Sequence, residues 1–185
     1  MSGPVPATAP GAQPAGLVYA DVPNRVIAYI IDAIIMFVIL LVIGIVLAAV
    51  GLATNTITAT GVEANYVASF IAAILGLVIT GVYFVYTWTS MRATIGMRLL
   101  GMQIGNAGDG ATLTTNQAIR RFLALSGPSI LAQVLSPIPL IGLLLSLLAL
   151  FWAIFLLYTT AQSPTKQGWH DVFANTQVVK AARSV

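Results

Sequence analysis

The sequence predicts an all-α integral membrane protein: a four-transmembrane-helix bundle with a cytoplasmic amphipathic interfacial segment between helices 2 and 3. Three observations carry that reading. Hydrophobic residues make up 58% of the 185 and charged residues 7%, against about 25% charged in ordinary soluble domains. Apolar runs cover 26–53, 66–88, 122–135 and 138–158, and about 20 apolar residues carry a helix across the hydrocarbon. With four spans, all eight Lys and Arg residues fall on one side of the membrane, as expected of cytoplasmic segments.

Residues 1–20 form a Pro/Ala/Gly-rich tail read as flexible; the first 16 hold four prolines and no charge, so no positive n-region of a cleavable signal is present. The transmembrane domain is placed at 21–180, with spans at about 25–53, 66–89, 115–135 and 139–160, and a short C-terminal tail at 181–185. The first span then acts as an uncleaved anchor, and both termini are cytoplasmic at the cell (plasma) membrane. The loops on the opposite side, 54–65 and 136–139, contain Glu63 as their only charge.

After the second span, Ile95, Leu99 and Met102 recur at helical spacing, with Arg92 and Arg98 spread around the other side. Such a segment can lie in the membrane surface with its arginines on anionic lipid headgroups. The stretch 106–110, Asn-Ala-Gly-Asp-Gly, is a turn by composition. Thr114 and Gln117 make a capping box that starts the third span. That span, about 31 Å long if helical from 115 to 135, crosses if Arg120 and Arg121 snorkel to the interface. Pro137 and Pro139 then break the ladder and turn the chain into the fourth span.

Ala72, Gly76 and Thr80, and again Gly44 and Ala48, follow the small-xxx-small spacing that lets helices approach closely. Tyr83, Tyr86, Trp88, Trp152 and Tyr158 lie near span ends and fit an aromatic belt. The net charge of +3 is mostly a topology signal, so nucleic acid is not expected as a partner. One histidine and no cysteine leave no nucleophile with a base in reach, and His170, Asp171 and Asp32 are not spaced as a ligand cluster. No enzyme activity, cofactor or metal is expected.

Asp32 is the costliest residue to place. It lies inside the first span, seven positions after Arg25, and a charge at helix centre costs roughly 2.5 to 3.5 kcal/mol on insertion scales. Arg120 and Arg121, at similar depth in the third span, are its candidate counter-ions.

Three segments resemble the RDD membrane protein family, named for one arginine and two aspartates. They are the run from Asn24 through Arg25 to Asp32, the Thr94-Ile95-Gly96-Met97-Arg98-Leu99-Leu100-Gly101 segment, and the Gly168-Trp169-His170-Asp171 element running on to Val179. By the resemblance Arg25, Asp32 and Asp171 are the naming residues, while Met97 stands where a lysine is common. The resemblance implies a multi-pass membrane protein and a role in transport, with sodium/proton antiport in some members.

Two functions follow. In the first, Asp32 exchanges protons and monovalent cations, Arg25, His170 and Asp171 form the cytoplasmic gate, and the carrier is a homo-oligomer. In the second, the protein is a structural, assembly or regulatory membrane protein in which Asp32 pairs with an arginine to set helix register, while Asp171 and His170 lock the C-terminal segment through Arg25 or Arg98.

Overall fold

A computed structural model describes residues 18–136 and 138–180. The tail up to residue 17, Pro137, and the C-terminal tail with Arg183 lie outside the described residues. Helix α1 spans Val22–Ala49 and α2 Tyr66–Ser90, and between them β1 (Asn55–Thr58) and β2 (Gly61–Ala64) form an antiparallel hairpin. The short α3 (Ile95–Leu99) and strand β3 (Met102–Asn106) follow. Then come α4 (Thr115–Val134), α5 (Pro139–Gln162), the short α6 (Trp169–Phe173) and β4 (Thr176–Lys180).

Three of these helices, α1, α2 and α5, are long and apolar enough to cross a membrane. Most of their large apolar side chains point outward, as in Phe37, Val67, Leu140 and Phe151, each more than half exposed. Outward apolar faces on helices of this length suit lipid and not water. The chain is therefore a multi-pass membrane protein.

Helix α4 differs, since it carries Arg120 and Arg121, and it packs between α2 and α5. The Thr114–Gln117 box is present in both directions: Gln117 N donates to Thr114 Oγ1 at 3.3 Å, and Thr114 N to Gln117 Oε1 at 3.0 Å. Pro128 inside α4 has no N–H to give the carbonyl four residues back, that of Ala124. Trp152 Nε1 of α5 donates to that carbonyl at 2.8 Å, so the helix-breaking residue creates the stitch to its neighbour.

The connector between α2 and α4 departs from the expected amphipathic interfacial segment. Only five residues are helical, and then β3 pairs antiparallel with β4, Ile104 opposite Val178. The helical spacing of Ile95, Leu99 and Met102 spans two elements: Ile95 and Leu99 are exposed on α3, whereas Met102 is 1% exposed in β3. Tyr19 bridges to Val179, with Ala20 N donating to Val178 O at 3.1 Å. The start of the domain, its middle and its end are thus zipped together under one end of the helices.

The main core cluster sits at this same end, where Phe84, Trp88, Met97, Met102, Ile104, Phe122 and Val178 meet. Phe84 stacks on Phe122 with centroids 6.1 Å apart. At the hairpin end packing is looser: Gly44 has nothing near it, and Gly76 sees only Leu40 and Gln133 at van der Waals distance. Gly44, Ala72 and Gly76 of the small-residue stripes border a cavity of about 500 Å³ between α1 and α2, with Gln133 of α4 also in its wall. Tyr86 and Tyr158 are exposed as a belt requires, but Trp88 is 2% exposed and belongs to the core.

Candidate functional site

The buried face of α1 consists of Ala28, Asp32 and Met36, one residue per turn. That narrow stripe aims the Asp32 carboxylate at α2 and α3. Tyr83 Oη donates to its Oδ1 at 2.6 Å, Thr94 Oγ1 to its Oδ2 at 2.6 Å, and Gly96 N to its Oδ1 at 2.9 Å. Among the described residues no Lys, Arg or His reaches salt-bridge distance of Asp32. The expected counter-ions lie elsewhere: Arg120 is exposed and Arg121 turns to Asp171.

Local sequence explains how α3 meets the carboxylate. Thr94 is the N-cap of α3, its Oγ1 accepting from Met97 N at 3.2 Å while its proton goes to Asp32. Gly96 has no side chain, which lets the backbone of α3 rest directly against that of α1 at Ala28.

Asp171, 0% exposed, organises a second cluster. Arg25 Nη1 donates to its Oδ2 at 2.8 Å, and Arg121 Nη1 donates to its Oδ1. Gly168 N adds 3.1 Å to Oδ2, and Arg121 Nη1 also reaches Thr176 Oγ1 at 2.6 Å. Arg25 is completely engaged, its Nε on Ala20 O at 3.1 Å and its Nη2 on Val178 O at 3.3 Å. One carboxylate thus joins α1, α4 and α6, and the arginines carry the tie on to β4. Such buried pairs add little net stability over an apolar core but are costly to break from one side.

The structure brings Arg25, Asp171, Arg121 and His170 together and keeps Asp32 in a separate cluster. The Arg92 guanidinium donates to Gly110 O; Arg98 is exposed and joins no ion pair among the described residues. Tyr83, Trp88, Thr94 and Thr176 are site residues that the sequence reading missed. Thr94 had a signal, as a Thr directly before an Ile-Gly helix start; Tyr83 and Trp88 were hidden among belt aromatics.

His170 is buried, with Nε2 3.6 Å from Asp171 Oδ1 and Nδ1 without a hydrogen-bond partner among the described residues. Burial first, then the charges of Arg121 and Arg25, push its pKa well below 6.5, so the ring is neutral at pH 7. An unfolded histidine binds a proton below about pH 6.5 and this folded one does not. Its contribution to stability is therefore present above that pH and falls as the medium is acidified. A pH series of thermal unfolding in detergent should show that loss setting in as the pH falls through about 6.5, and His170→Gln should flatten it. An equal acid slope in the variant would remove His170 as its source.

Between α1, α2, α4 and α5 lies a cavity of about 330 Å³ whose wall includes Asp32, Arg25, Arg121, Trp88 and His170. Both clusters border it. Among the described residues there is no group of three or more His, Cys, Asp or Glu side chains placed to hold a metal ion.

Comparison with known protein families agrees with the resemblance. The model of the RDD family matches residues 19–175, well over half of the chain. No curated protein and no solved structure matches it.

Proposed function

The chain belongs to the RDD family, and from that premise we propose that it is a carrier exchanging protons for a monovalent cation at Asp32. The observation that carries this reading is the company Asp32 keeps. It is buried, it borders a cavity, and its partners are two hydroxyls and an amide with no cation among them. A carboxylate held by an arginine has its charge permanently answered; this one does not. Hydroxyls both donate and accept. Tyr83 and Thr94 can thus give their protons to Asp32 when no ion is present and turn their lone pairs to a cation when one is. Intramembrane carboxylates of this kind mark ion paths.

In this reading α4 is the fourth span, and the sheet end faces the cytoplasm with both termini. Seven of the described basic residues, Arg25, Arg92, Arg98, Arg120, Arg121, Lys166 and Lys180, lie on or near that end, which fits the positive-inside rule. Four helices around one site favour a homo-oligomeric carrier. Arg25 and Asp171 hold the gate closed, and His170, neutral at pH 7, does not relay the proton.

The competing reading, a packing latch, draws on Thr94 and Gly96, whose bonds to Asp32 tie the connector to α1. Flux and stability separate the two. In proteoliposomes with an imposed pH gradient, wild type should admit sodium or potassium, and Asp32→Asn should lower that flux at least about tenfold while its melting temperature in detergent shifts by only a few degrees. Absence of gradient-driven flux in folded wild type would leave the latch as the role of Asp32.

A further inference from the structure

The 500 Å³ cavity at the hairpin end carries polar groups at a depth where hydrocarbon surrounds the helices. Its wall includes Asn55, Ser69, Gln133 and Ser136. Among the described residues, only Ser136 of these four uses its side chain in a hydrogen bond, Oγ donating to Gln133 O at 2.8 Å. Gln133 reaches deepest. Its amide oxygen lies beside Gly76, where a Cβ would be 3.9 Å away. Gly76 is ten residues into α2, about 15 Å along the axis and so about halfway through a hydrocarbon core of roughly 30 Å. An amide without partners at that depth is expensive, and water in the cavity would answer it. A space of this volume with several polar groups in its wall is roomy and polar enough to stay wet.

The same face of α1 leads from this cavity to Asp32. Leu40 lines the cavity, Met36 stands one turn further in, and Asp32 one turn beyond that, about 12 Å from Leu40 along the axis. Met36 is 6% exposed and lines neither cavity. On α4 the interval is a single turn: Gln133 lines the outer cavity and Ser129 the one that contains Asp32. Met36 is thus what α1 places between the two spaces.

We propose that the 500 Å³ cavity is a water-filled vestibule whose floor is kept wet by the Gln133 amide, that this amide offers its oxygen to an entering monovalent cation, and that Met36 is the apolar barrier between that cation and Asp32. Carbonyl oxygens of this kind replace the hydration water of alkali cations. The onward step to Asp32 rests on the exchange reading above; the hydration of the vestibule does not.

The chain has no cysteine, so one introduced thiol reports one position. In lipid nanodiscs, the rate of modification by a cationic methanethiosulfonate is compared for Gly76→Cys and for Val78→Cys, the latter at a position 54% exposed on the same helix. Only the thiolate reacts, and apolar surroundings suppress it, so Gly76→Cys should react at least about tenfold faster. Adding Gln133→Leu should remove most of that gain without lowering the melting temperature. Equal rates at the two positions would overturn the vestibule, with lipid filling the space; so would slow modification together with ready disulfide-linked dimers of Gly76→Cys, which puts a second copy there. A rate indifferent to Gln133→Leu would overturn the role of the amide. For the barrier, Asp32→Cys should be modified about fivefold faster or more once Met36→Ala opens the way to water, whereas Met36→Leu, which keeps the bulk, should not speed it. Met36→Val serves if Met36→Ala loses the fold, and no acceleration in either would overturn the barrier. Labelling of Gly76→Cys as expected in a protein without gradient-driven flux would sink exchange at Asp32 and keep the vestibule; flux without that labelling would do the reverse.

Discussion

Asp171→Asn is expected to cost about 3–5 kcal/mol, the range for breaking a buried pair from one side. The substitution keeps shape and volume, so packing is not what changes. Two guanidiniums, from Arg25 and Arg121, lose their shared carboxylate inside a site that is 0% exposed at residue 171. The amide carries one acceptor oxygen where there were two, and its NH2 donates into a ring of donors that already includes Gly168 N. Because Arg25 belongs to α1, Arg121 to α4 and Asp171 to α6, the loss reaches the whole sheet end at once. Thermal or denaturant unfolding in detergent measures it. Asp171→Leu combined with Arg121→Met should recover much of the loss, since an apolar replacement leaves less charge unanswered. A loss under about 1 kcal/mol in the single variant would mean the cluster is not the tie described.

Those contacts show where sequence reasoning stops. The four long helices were legible to within a few residues, because long apolar runs favour helices and prolines and caps mark their ends. Thr114 and Gln117 announced α4 unaided. Expected depth, by contrast, is a poor guide to partners: the sequence suggests similar depths for Arg120, Arg121 and Asp32, yet side-chain direction turns the first to the outside and the second to α6. No local pattern links Arg121 to Asp171, separated by 50 residues. The β3–β4 pairing was hidden for a related reason. Met102 and Ile104 are buried while Gln103 is half-buried between them, a period-2 alternation too short to outweigh the helical spacing that Met102 also completes. The RDD motifs singled out both aspartates, and the structure shows that they belong to different clusters.

Gly96→Ala is expected to be the most disruptive single-methyl change, with a loss of several kcal/mol. A Cβ at position 96 would overlap the carbonyl oxygen of Ala28 and lie 2.9 Å from its carbonyl carbon. Both are backbone atoms of a continuous helix, so no rotamer can move them aside, and forced overpacking costs about 1–3 kcal/mol or more. The methyl itself is helix-favouring by about 1 kcal/mol relative to glycine, so propensity and packing oppose each other and packing is the larger. If α3 retreats to relieve the overlap, Gly96 N and Thr94 Oγ1 leave the Asp32 carboxylate together. Asp32 is then buried with Tyr83 alone, which adds a desolvation cost for the charge. Thr94→Val removes the Thr94 donor to Asp32 together with the cap on Met97 N, and adds no bulk toward α1; about 1–3 kcal/mol is expected of it. Unfolding midpoints of the two variants decide the matter. If Gly96→Ala proves no worse than Thr94→Val, α3 has room to shift, and the backbone contact with α1 does not hold Asp32 in its site.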